Sequence, residues 1–475
     1  MLTFKEYRSH DALGLAKLIA DKEVTPEEVL DAALLRCDEM NPKLNAVVHR
    51  NDGAEKGRVA ADLPEGPFAG VPFLLKDLYA FERGQPLGNG SRLWDGAEAP
   101  MDFTYTVRCR EAGLVTFGRT NTPELGLVWT TEPEANGPTC NPWDLSRSPG
   151  GSSGGAAAAV SAGILPMAHA TDGGGSIRMP ASRCGLFGLK ASRGRNPMGP
   201  VVGEGWAGLA GSGVVSRSVR DSAAMLDATG YPESGEPYAA PAKTRSYLEQ
   251  VGRTPGPLRI AYHTTDYAGA PLSPEAIEAV EATASLLREL GHEVEEACPE
   301  IDAERMGRAM GVIIAGNLHQ AVMARYRELD RDPNGVGAEY TTWNMVQAAE
   351  RLSAADYAGA VTAFHMAGRA LGRFFEEHDL VMSATMRNPP TPLGEVRTDK
   401  WNMEDLFEAA HREMPITPLF NQTGCPAMSV PLHWTKDDLP VGVHFGAPYG
   451  REDRLFRLAG QLEEAKPWFD RVPEL

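Results

Sequence analysis

Paired cysteines are missing from this sequence. Its six cysteines are spread along the chain, and no two of them form a CxxC motif. This spacing argues against a disulfide framework and against a structural zinc site. We therefore expect free or buried thiols, no metal, and a reducing cytoplasm. The six residues are Cys37, Cys109, Cys140, Cys184, Cys298 and Cys425.

An excess of positive charge is also missing. The chain has 46 lysines and arginines against 64 aspartates and glutamates, so its formal net charge is −18. Such a surface repels phosphate backbones and acidic lipid headgroups. We expect neither nucleic acid nor a membrane as a partner, and we expect a small-molecule substrate. The oligomeric state is not determined, and a homodimer is left open.

Long apolar runs are scarce. The first residues, MLTFKEYRSHDALG, place charges where a signal peptide needs an apolar centre, so we expect no export. Residues 154–170 are rich in glycine and alanine, but this segment contains Pro166 and is shorter than the roughly 20 residues of a membrane span. It is predicted to be a buried helix.

Signals for helix ends are present at two places. Thr25 and Glu28 have the spacing of a capping box, and an apolar stripe follows them, so a helix is predicted to about Met40. Ser273 begins a second helix, and Gly291 lies where a C-terminal cap belongs.

Short apolar runs bounded by proline or glycine predict strands. They occur at residues 71–75, at 258–262, near Val294 and at 427–431. Strands that alternate with helices are typical of an α/β fold. Residues 231–257 are rich in proline, glycine, serine and charge, and they are predicted to form a surface linker.

Two clusters of glycine and serine are the most unusual segments of the chain. They are SPGGSSGGA at residues 148–156 and TDGGGSIR at residues 171–178. Glycine lets the backbone turn sharply or approach a ligand, and consecutive N–H groups can bind an anion. An oxyanion hole needs such donors, whereas a glycine-rich surface loop is the purely structural alternative.

Two nucleotide-binding motifs do not account for these glycines. In a Walker motif a lysine follows the last glycine, but here Gly155 is followed by Ala156. Gly203, Gly205 and Gly208 have GxGxxG spacing, but prolines precede them and no strand-to-helix context exists. We interpret this second match as chance.

A serine nucleophile needs a base, and no histidine is a good candidate. His169 lies seven residues before Ser176 without an obvious orienting carboxylate, so it is predicted to be a packed residue. Lysine can replace histidine where burial keeps part of it neutral. Lys76 ends the apolar run GVPFLLKDL and is the candidate base. A surface lysine paired with Asp77 is the alternative.

Three motifs together resemble the amidase signature family. GVPFLLKDL, GGSSGG and DGGGSIR occur in the family's order, and TNTPELG, GPTCNPWD, PASRCGLFGLK and FNQTGCPAMSVP extend the resemblance over nearly the whole chain. Lys76 precedes Ser152 by 76 residues and Ser176 follows Ser152 by 24, which matches the family's spacing and selects Ser152 over Ser153. The resemblance implies Ser176 as the nucleophile, Ser152 after a cis peptide bond as the bridging serine, and Lys76 as the final base.

The resemblance also implies an oxyanion hole. Its donors would be the N–H groups of Gly173, Gly174, Gly175 and the nucleophile itself. The family commonly has isoleucine or threonine where this chain has Gly173, so the resemblance does not determine the shape of the pocket at this residue. Asp172 and Arg178 are expected to brace the loop as an ion pair.

The fold implied by the resemblance is a single domain over residues 1–475. It would be an α/β fold with one mixed, mostly parallel, twisted β-sheet and α-helices on both sides. An N-terminal helical segment is expected at 1–65, the signature core at about 66–230 and a helical region at about 303–373. This last region would cap the site, and ordinary helical packing is the alternative.

The function implied by the resemblance is hydrolysis of an amide bond without a cofactor. GPFAGVPFLLKDL, TTEPEANGPT, YTTWNMV and APYGRED look similar to members that hydrolyse the cyclic dimer of 6-aminohexanoate, a nylon by-product. Trp129 and Trp343 are predicted to line an apolar site, which favours neutral aliphatic, aryl or cyclic amides. A glutamyl-tRNA amidotransferase subunit that supplies ammonia, and a non-catalytic binding protein of the same fold, remain the alternatives.

Overall fold

The computed structural model describes residues 2–61 and 63–475, without the side chains of residues 54, 58, 60 and 61. Met1 and Asp62, which belong to the expected N-terminal segment at 1–65, lie outside the described residues. Among the residues described, no helix is long and apolar enough to cross a lipid bilayer.

The α-helices range from five to 26 residues in length. Within the described residues they are α1 (Phe4–Arg8), α2 (Ala12–Ala20), α3 (Pro26–Leu44), α4 (Asp52–Ala61), α5 (Thr104–Glu111), α6 (Gly154–Ser161), α7 (Arg178–Cys184), α8 (Val219–Thr229), α9 (Tyr247–Val251), α10 (Pro274–Glu289), α11 (Ala303–Glu328), α12 (Tyr340–Ala349), α13 (Ala354–Glu377), α14 (Met403–Glu413), α15 (Pro418–Thr423) and α16 (Glu452–Ala465).

The β-strands are short, at four to eight residues. Within the described residues they are β1 (Val47–Arg50), β2 (Pro72–Lys76), β3 (Val115–Thr120), β4 (Met167–Asp172), β5 (Phe187–Lys190), β6 (Gly211–Ser216), β7 (Arg259–Tyr262), β8 (Glu293–Glu296), β9 (Leu380–Ala384), β10 (Ala427–Trp434) and β11 (Pro440–Gly446).

Eight of the strands form the main sheet. Their order is β4-β6-β5-β10-β11-β9-β7-β8. The β9–β7 and β7–β8 pairs are parallel, whereas the other neighbouring pairs in this sheet are antiparallel. The predicted mixed sheet is therefore confirmed, but the expectation that it is mostly parallel is wrong. Short connections, such as the one between β10 and β11, favour antiparallel neighbours.

A second, three-stranded sheet carries the candidate lysine, so the expectation of a single sheet is also corrected. Its order is β1-β3-β2, with β1 antiparallel and β2 parallel to β3. Lys76 is the last residue of β2 and pairs with Thr120 at the end of β3. This small sheet places Lys76 beside the first glycine–serine loop.

Alternate residues of the central strands face two different hydrophobic cores. In β9, Leu380 and Met382 join a core with α8, α10 and α16, whereas Val381 joins a core with α11 and α13. Successive side chains of a strand point to opposite faces of its sheet. Helices therefore cover the main sheet on both sides, as predicted.

The predicted helix starts and the predicted end of α10 are confirmed, whereas α3 continues past the predicted end near Met40 to Leu44. The Thr25 side chain accepts a hydrogen bond from Glu28 N in a full capping box at the start of α3. Ser273 likewise caps α10 by accepting a hydrogen bond from Ala276 N, and Gly291 lies just beyond its end with φ +90°. The strands predicted at 71–75, 258–262, near 294 and at 427–431 correspond to β2, β7, β8 and β10.

The segment at residues 154–170 differs from its prediction as one buried helix. The helix α6 ends at Ser161, and β4 begins at Met167. Gly163 has φ +75° and Pro166 precedes β4, so the chain turns before the alanine-rich run is complete. All residues of α6 are buried, as the prediction required.

Candidate active site

Lys76 lies at the end of β2 with its side chain inside the protein. All five residues of β2 are buried, and Lys76 is 0 % exposed. Its Nζ atom lies 2.7 Å from Ser152 Oγ, 3.0 Å from Ser153 Oγ and 2.9 Å from Thr171 Oγ1. The alternative of a surface lysine paired with Asp77 is therefore excluded.

The surroundings of Lys76 disfavour its charged form. Burial lowers the pKa of Lys76 well below the ordinary lysine value, while the charge of Asp172 opposes this effect more weakly. A neutral lysine has a lone pair that can accept a proton. This arrangement can hold a base within hydrogen-bond distance of a serine hydroxyl.

His169 packs behind Lys76. Its Nδ1 atom accepts a hydrogen bond from the backbone N–H of Lys76 at 3.2 Å, and its ring lies against Tyr105. Burial lowers the pKa of His169 to about 3, with smaller contributions from the charges of Lys76 and Arg119. The ring is therefore neutral, which agrees with its prediction as a packed residue.

The first glycine–serine loop brings Ser152 to Lys76. The peptide bond between Gly151 and Ser152 is cis, as the resemblance implies. A side chain at position 151 would lie 2.7 Å from Thr130 N, and one at Gly126 would lie 3.2 Å from Ser152 Oγ. Glycine at these two positions therefore lets the neighbouring backbone close around the serine.

Ser176 lies on the loop that joins β4 to α7. It is 8 % exposed and lines the same cavity as Ser152 and Thr171. Within the described residues, the Ser176 hydroxyl makes no hydrogen bond, whereas Ser152 is bonded to Lys76. The structure thus brings the three predicted triad residues to one site and leaves the Ser176 hydroxyl facing the cavity.

The backbone N–H groups of the second loop are not equally available. Gly175 N donates to Asp172 Oδ1 at 2.8 Å. The N–H groups of Gly173, Gly174 and Ser176 make no hydrogen bond within the described part of the chain. The prediction of Gly175 as an oxyanion donor is therefore corrected, because the aspartate already holds its N–H.

Thr417 fixes the shape of this loop from the other side. Its Oγ1 atom donates a hydrogen bond to Gly174 O at 2.7 Å. Gly175 has φ +135°, and a side chain there would overlap Thr417 Oγ1 and lie 2.8 Å from Thr417 Cβ. Position 175 therefore requires glycine for both backbone conformation and space.

The predicted ion pair between Asp172 and Arg178 is confirmed. Both side chains are fully buried, and their nearest atoms are 2.9 Å apart. Burial alone raises the pKa of Asp172, but the charge of Arg178 and hydrogen bonds from Arg178 and Asn421 hold this pKa below its usual range. Arg178 also contacts His444 Nε2 at 3.0 Å. The pair ties the second loop to α15 and β11.

The candidate active-site cavity has a volume of about 230 Å³. Its walls are mainly apolar, and Glu204 is the only side chain of the Asp, Glu, Lys and Arg types among the described residues that line it. The lining residues are Leu78, Tyr79, Phe103, Leu125, Gly126, Ser152, Thr171, Gly173, Ser176, Met198, Val202, Glu204, Gly205, Trp206, Ala210, Gly211, Ser212, Asn317, Gln320 and Ala321.

The loop at residues 203–208, whose glycine spacing alone indicated no role, forms one wall of this cavity. Trp206 and Ala207 both have φ +52°, so the loop turns sharply. A side chain at position 173 would lie 3.1 Å from Trp206 Cε3 and Cζ3. Trp206 thus occupies the space that Gly173 leaves. The only indication in the sequence that this loop lines the cavity was the combination of an unusual glycine at position 173 with a glycine-rich loop that contains a tryptophan.

The two predicted substrate-binding tryptophans lie elsewhere. Trp129 is 2 % exposed and lines a separate cavity beside α11. Trp343 packs against Tyr326 at 6.0 Å between ring centroids and covers Gly335, and it is absent from the lining of the active-site cavity given above. α11 itself reaches the cavity through Asn317.

The cysteines are free thiols, and four of the six are buried. Within the described residues, no group of histidine, cysteine, aspartate and glutamate side chains is arranged to hold a metal ion.

Comparisons with known proteins give consistent matches. The sequence profile of the family described as Amidase matches residues 28–456. A 6-aminohexanoate-cyclic-dimer hydrolase of Pseudomonas sp. (strain NK87) is 38 % identical, over 98 % of this chain and 96 % of that protein. A solved structure of a 6-aminohexanoate cyclic dimer hydrolase with its substrate has TM-score 0.94 and 35 % identity, covering 98 % of this chain and 99 % of that one. A bacterial aryl acylamidase of the amidase signature family has TM-score 0.86 and 26 % identity, covering 97 % and 96 %.

Proposed function

Since this chain belongs to the amidase family and is an amide-bond hydrolase, we propose that it cleaves neutral amides through an acyl-enzyme on Ser176. Ser152 and Lys76 form the proton relay. The observation that carries this proposal is the buried Lys76 Nζ, 2.7 Å from Ser152 Oγ, beside a cavity that Ser176 also lines.

Acylation begins with attack of Ser176 Oγ on the carbonyl carbon of the substrate. The Ser176 proton passes to Ser152 Oγ, and the Ser152 proton passes to neutral Lys76 Nζ. When the tetrahedral intermediate collapses, the C–N bond breaks and the relay returns the proton to the leaving nitrogen. The products of this step are a free amine and an ester on Ser176.

Deacylation uses the same relay with water as the nucleophile. Water attacks the ester carbonyl and loses a proton through Ser152 to Lys76, and the relay returns a proton to Ser176 Oγ as the ester bond breaks. The carboxylic acid then leaves, and the enzyme regains its starting protonation. Each turnover consumes one amide and one water.

The unpaired backbone N–H groups that stabilise the oxyanion are those of Gly173, Gly174 and Ser176. Donors held in place before the reaction stabilise developing negative charge without reorganisation, and each such donor contributes about 3 to 4 kcal/mol in a comparable site. The contacts of Thr417 and Asp172 with this loop support such fixed placement.

Uncharged amides are the substrate class that the cavity favours. Glu204 is the only Asp, Glu, Lys or Arg side chain in its described lining, and the other walls are mainly apolar. Apolar walls bind uncharged groups by removing them from water. The relative from Pseudomonas is named for hydrolysis of a cyclic amide dimer, which supports cyclic and aliphatic amides as candidates for this chain.

The nucleophile is tested by covalent labelling of the purified protein. A serine-directed fluorophosphonate is expected to label Ser176, and Ser176→Ala is expected to remove both labelling and turnover. Ser285→Ala, at an exposed serine of α10, is the matched control and should keep both. Labelling of Ser153 in place of Ser176 would contradict the assignment.

The substrate class is tested by comparing kcat/KM for the cyclic dimer of 6-aminohexanoate, an anilide and free glutamine. We expect a neutral amide to exceed glutamine by about tenfold or more, which corresponds to about 1.4 kcal/mol of transition-state preference. A glutamine preference of that size would favour the amidotransferase alternative, as would activity that depends on co-purifying proteins.

A further inference from the structure

A second cavity of about 130 Å³ lies beside the active-site cavity. It is lined mainly by aromatic, methionine, leucine, isoleucine and proline side chains, together with His411 and Gln422, and its lining contains no Asp, Glu, Lys or Arg side chain among the described residues. No step of the proposed hydrolysis uses this cavity. Its composition suits an uncharged aliphatic or aromatic group.

One face of α11 lines both cavities in succession. Met306, Met310 and Ile314 line the second cavity, and Asn317 and Ala321 line the active-site cavity. Residues spaced by three or four positions share one face of a helix. The two cavities therefore lie in succession along the same face of α11.

Two methionine side chains separate the second cavity from the loop that carries Ser176. A side chain at Gly174 would lie 2.9 Å from Met310 Cε and 3.4 Å from Met414 Cε. Both methionines also line the second cavity. Methionine is unbranched and has three rotatable side-chain bonds, so it adapts to an incoming group more easily than other apolar residues.

Two residues that line the second cavity carry buried hydrogen-bond donors without partners in the described part of the chain. Trp129 is 2 % exposed, and its Nε1–H has no partner among the described residues. The hydroxyl of Tyr267, another lining residue, is also buried and without a partner in the described part of the chain. Unpaired buried donors are costly, and an acceptor on a bound molecule would satisfy them.

We propose that the second cavity is a subsite for the distal arm of an elongated, uncharged amide substrate. The arm is an aliphatic chain that carries a second hydrogen-bond acceptor, such as another amide carbonyl, which binds to Trp129 Nε1–H and the Tyr267 hydroxyl. The inference rests on the proposed amide hydrolysis at Ser176, because it assigns the part of the substrate that does not react.

Gly307 offers a way to fill the second cavity. It lies in α11, lines this cavity, and has no atom within 4 Å of the position that its Cβ would take. Position 307 is exposed at the edge of this cavity, so Gly307→Leu starts its side chain in open space beside the cavity and improves helix propensity. Gly359 in α13 also has open space at its Cβ, is exposed, and lines neither cavity, so Gly359→Leu is the matched control.

The test compares three neutral amides in each enzyme preparation. The first is a short amide, the second carries a six-carbon arm that ends in a methyl group, and the third carries an arm of equal length that ends in an N-methylamide. Arms are attached in turn to the acyl side and to the nitrogen side. The ratios of kcat/KM between these amides do not depend on the concentration of active enzyme.

In the wild-type protein we expect the arm to raise kcat/KM by about tenfold or more on one side of the amide, because each buried methylene contributes about 0.8 kcal/mol. Gly307→Leu should reduce this gain to about twofold or less, whereas Gly359→Leu should keep it. The terminal N-methylamide should add about threefold to tenfold over the methyl arm, and Trp129→Phe should remove this increment only.

A separate binding measurement keeps the subsite testable if turnover fails. N-methylhexanamide is titrated by calorimetry into Ser176→Ala protein with and without Gly307→Leu. Binding that Gly307→Leu weakens about tenfold or more supports the subsite even if the proposed hydrolysis is wrong. The subsite is wrong if short amides are hydrolysed but neither arm raises kcat/KM. It is also wrong if Gly307→Leu changes neither the effect of the arm on kcat/KM nor the binding of N-methylhexanamide. Both outcomes leave the proposed hydrolysis standing.

Discussion

At the scale of single residues, the proposed mechanism depends on keeping Lys76 neutral. The interior cannot solvate an ammonium group as water does, and three serine and threonine hydroxyls are its side-chain partners. Among the described residues, the acidic group whose charge favours the charged form of Lys76 is Asp172, and it is already paired with Arg178. A buried lysine of this kind can act as a base where an exposed lysine cannot.

The first prediction concerns the pH dependence of catalysis. Because Lys76 must be neutral to accept a proton and burial lowers its pKa well below the ordinary value, kcat/KM should rise with pH through this lowered pKa and level off above it. The measurement is kcat/KM for one neutral amide across the stable pH range. An optimum near about pH 5, followed by a decline, would contradict a lysine base.

The second prediction concerns Gly173. An isoleucine at this position meets the Trp206 ring, because even its Cβ would lie 3.1 Å from two ring carbons. We expect Gly173→Ile to narrow the cavity and to lower kcat/KM for a bulky cyclic amide by about tenfold or more relative to a small aliphatic amide. The measurement is the ratio of kcat/KM for the two amides.

The control for this prediction removes the Trp206 ring that the isoleucine would meet. In Gly173→Ile/Trp206→Ala the clash is absent, so the double variant should recover part of the activity toward the bulky amide. An unchanged ratio in Gly173→Ile, or no recovery in the double variant, would show that Trp206 does not respond to position 173.

At the scale of secondary-structure elements, local hydrogen bonds determine where several helices begin. The α3 helix begins with Thr25 and Glu28 in a capping box, and α13 begins with the equivalent pair Ser353 and Asp356. These caps satisfy backbone N–H groups that the first turn of a helix leaves without partners. Such ends were predictable because their causes lie within four residues of sequence.

The third prediction concerns the cap of α3. Thr25→Ala removes the side-chain acceptor of Glu28 N and should cost about 1 kcal/mol of local stability, which is about fivefold in amide exchange protection of the first turn. The measurement is hydrogen exchange by mass spectrometry on α3 peptides. Thr362→Ala, at an exposed position inside α13, should leave the exchange of its own helix unchanged or slower. Equal losses in both helices would contradict a capping effect.

At the scale of the whole molecule, Arg178 connects elements that are far apart in the chain. Its guanidinium binds Asp172 at the end of β4, the carbonyl of Thr417 before α15 and Asn421 within α15. Asn421 also donates to the Asp172 backbone carbonyl and to Leu209 O. This buried network positions the loop that carries Ser176 relative to the main sheet and to the loop at residues 203–208.

The fourth prediction concerns this network. Arg178→Gln leaves the Asp172 carboxylate buried without its cation and should lower the free energy of unfolding by about 3 to 5 kcal/mol. Asp172→Asn/Arg178→Gln should cost less than the sum of the two single changes. The measurement is urea unfolding. The exposed pair Arg397–Asp399 is the control, and Arg397→Gln should cost less than about 1 kcal/mol.

The pH dependence of stability follows from the same pair. The pKa of Asp172 in the folded protein is held below its unfolded value, which is about 3.9. Its contribution to stability is therefore complete above the unfolded pKa and is lost as the pH falls toward the folded pKa. Between about pH 5 and pH 3, wild-type stability should fall more steeply than that of Asp172→Asn/Arg178→Gln. Parallel curves would contradict this role for Asp172.

Much of this protein was determined by sequence alone. Helix caps, apolar strands and two glycine–serine loops depend on residues that are close in the chain, and the spacing of Lys76, Ser152 and Ser176 matches that of the amidase signature family. The meeting of Lys76, Ser152 and Ser176 at one site was predictable because each residue lies in a short motif of unusual composition, such as a lysine that ends an apolar strand or a serine among consecutive glycines.

Only the tertiary structure decided which groups meet. Contacts between segments that are distant in sequence determine the strand directions in the main sheet and the second sheet that carries Lys76. They also determine the packing of Trp206 against Gly173. The same holds for Gly175, whose N–H looked equivalent to those of Gly173 and Gly174 but points to Asp172. The sequence marks Trp129 and Trp343 as large apolar side chains, but it contains no information about which cavity or neighbour each ring faces, because that depends on how whole helices pack.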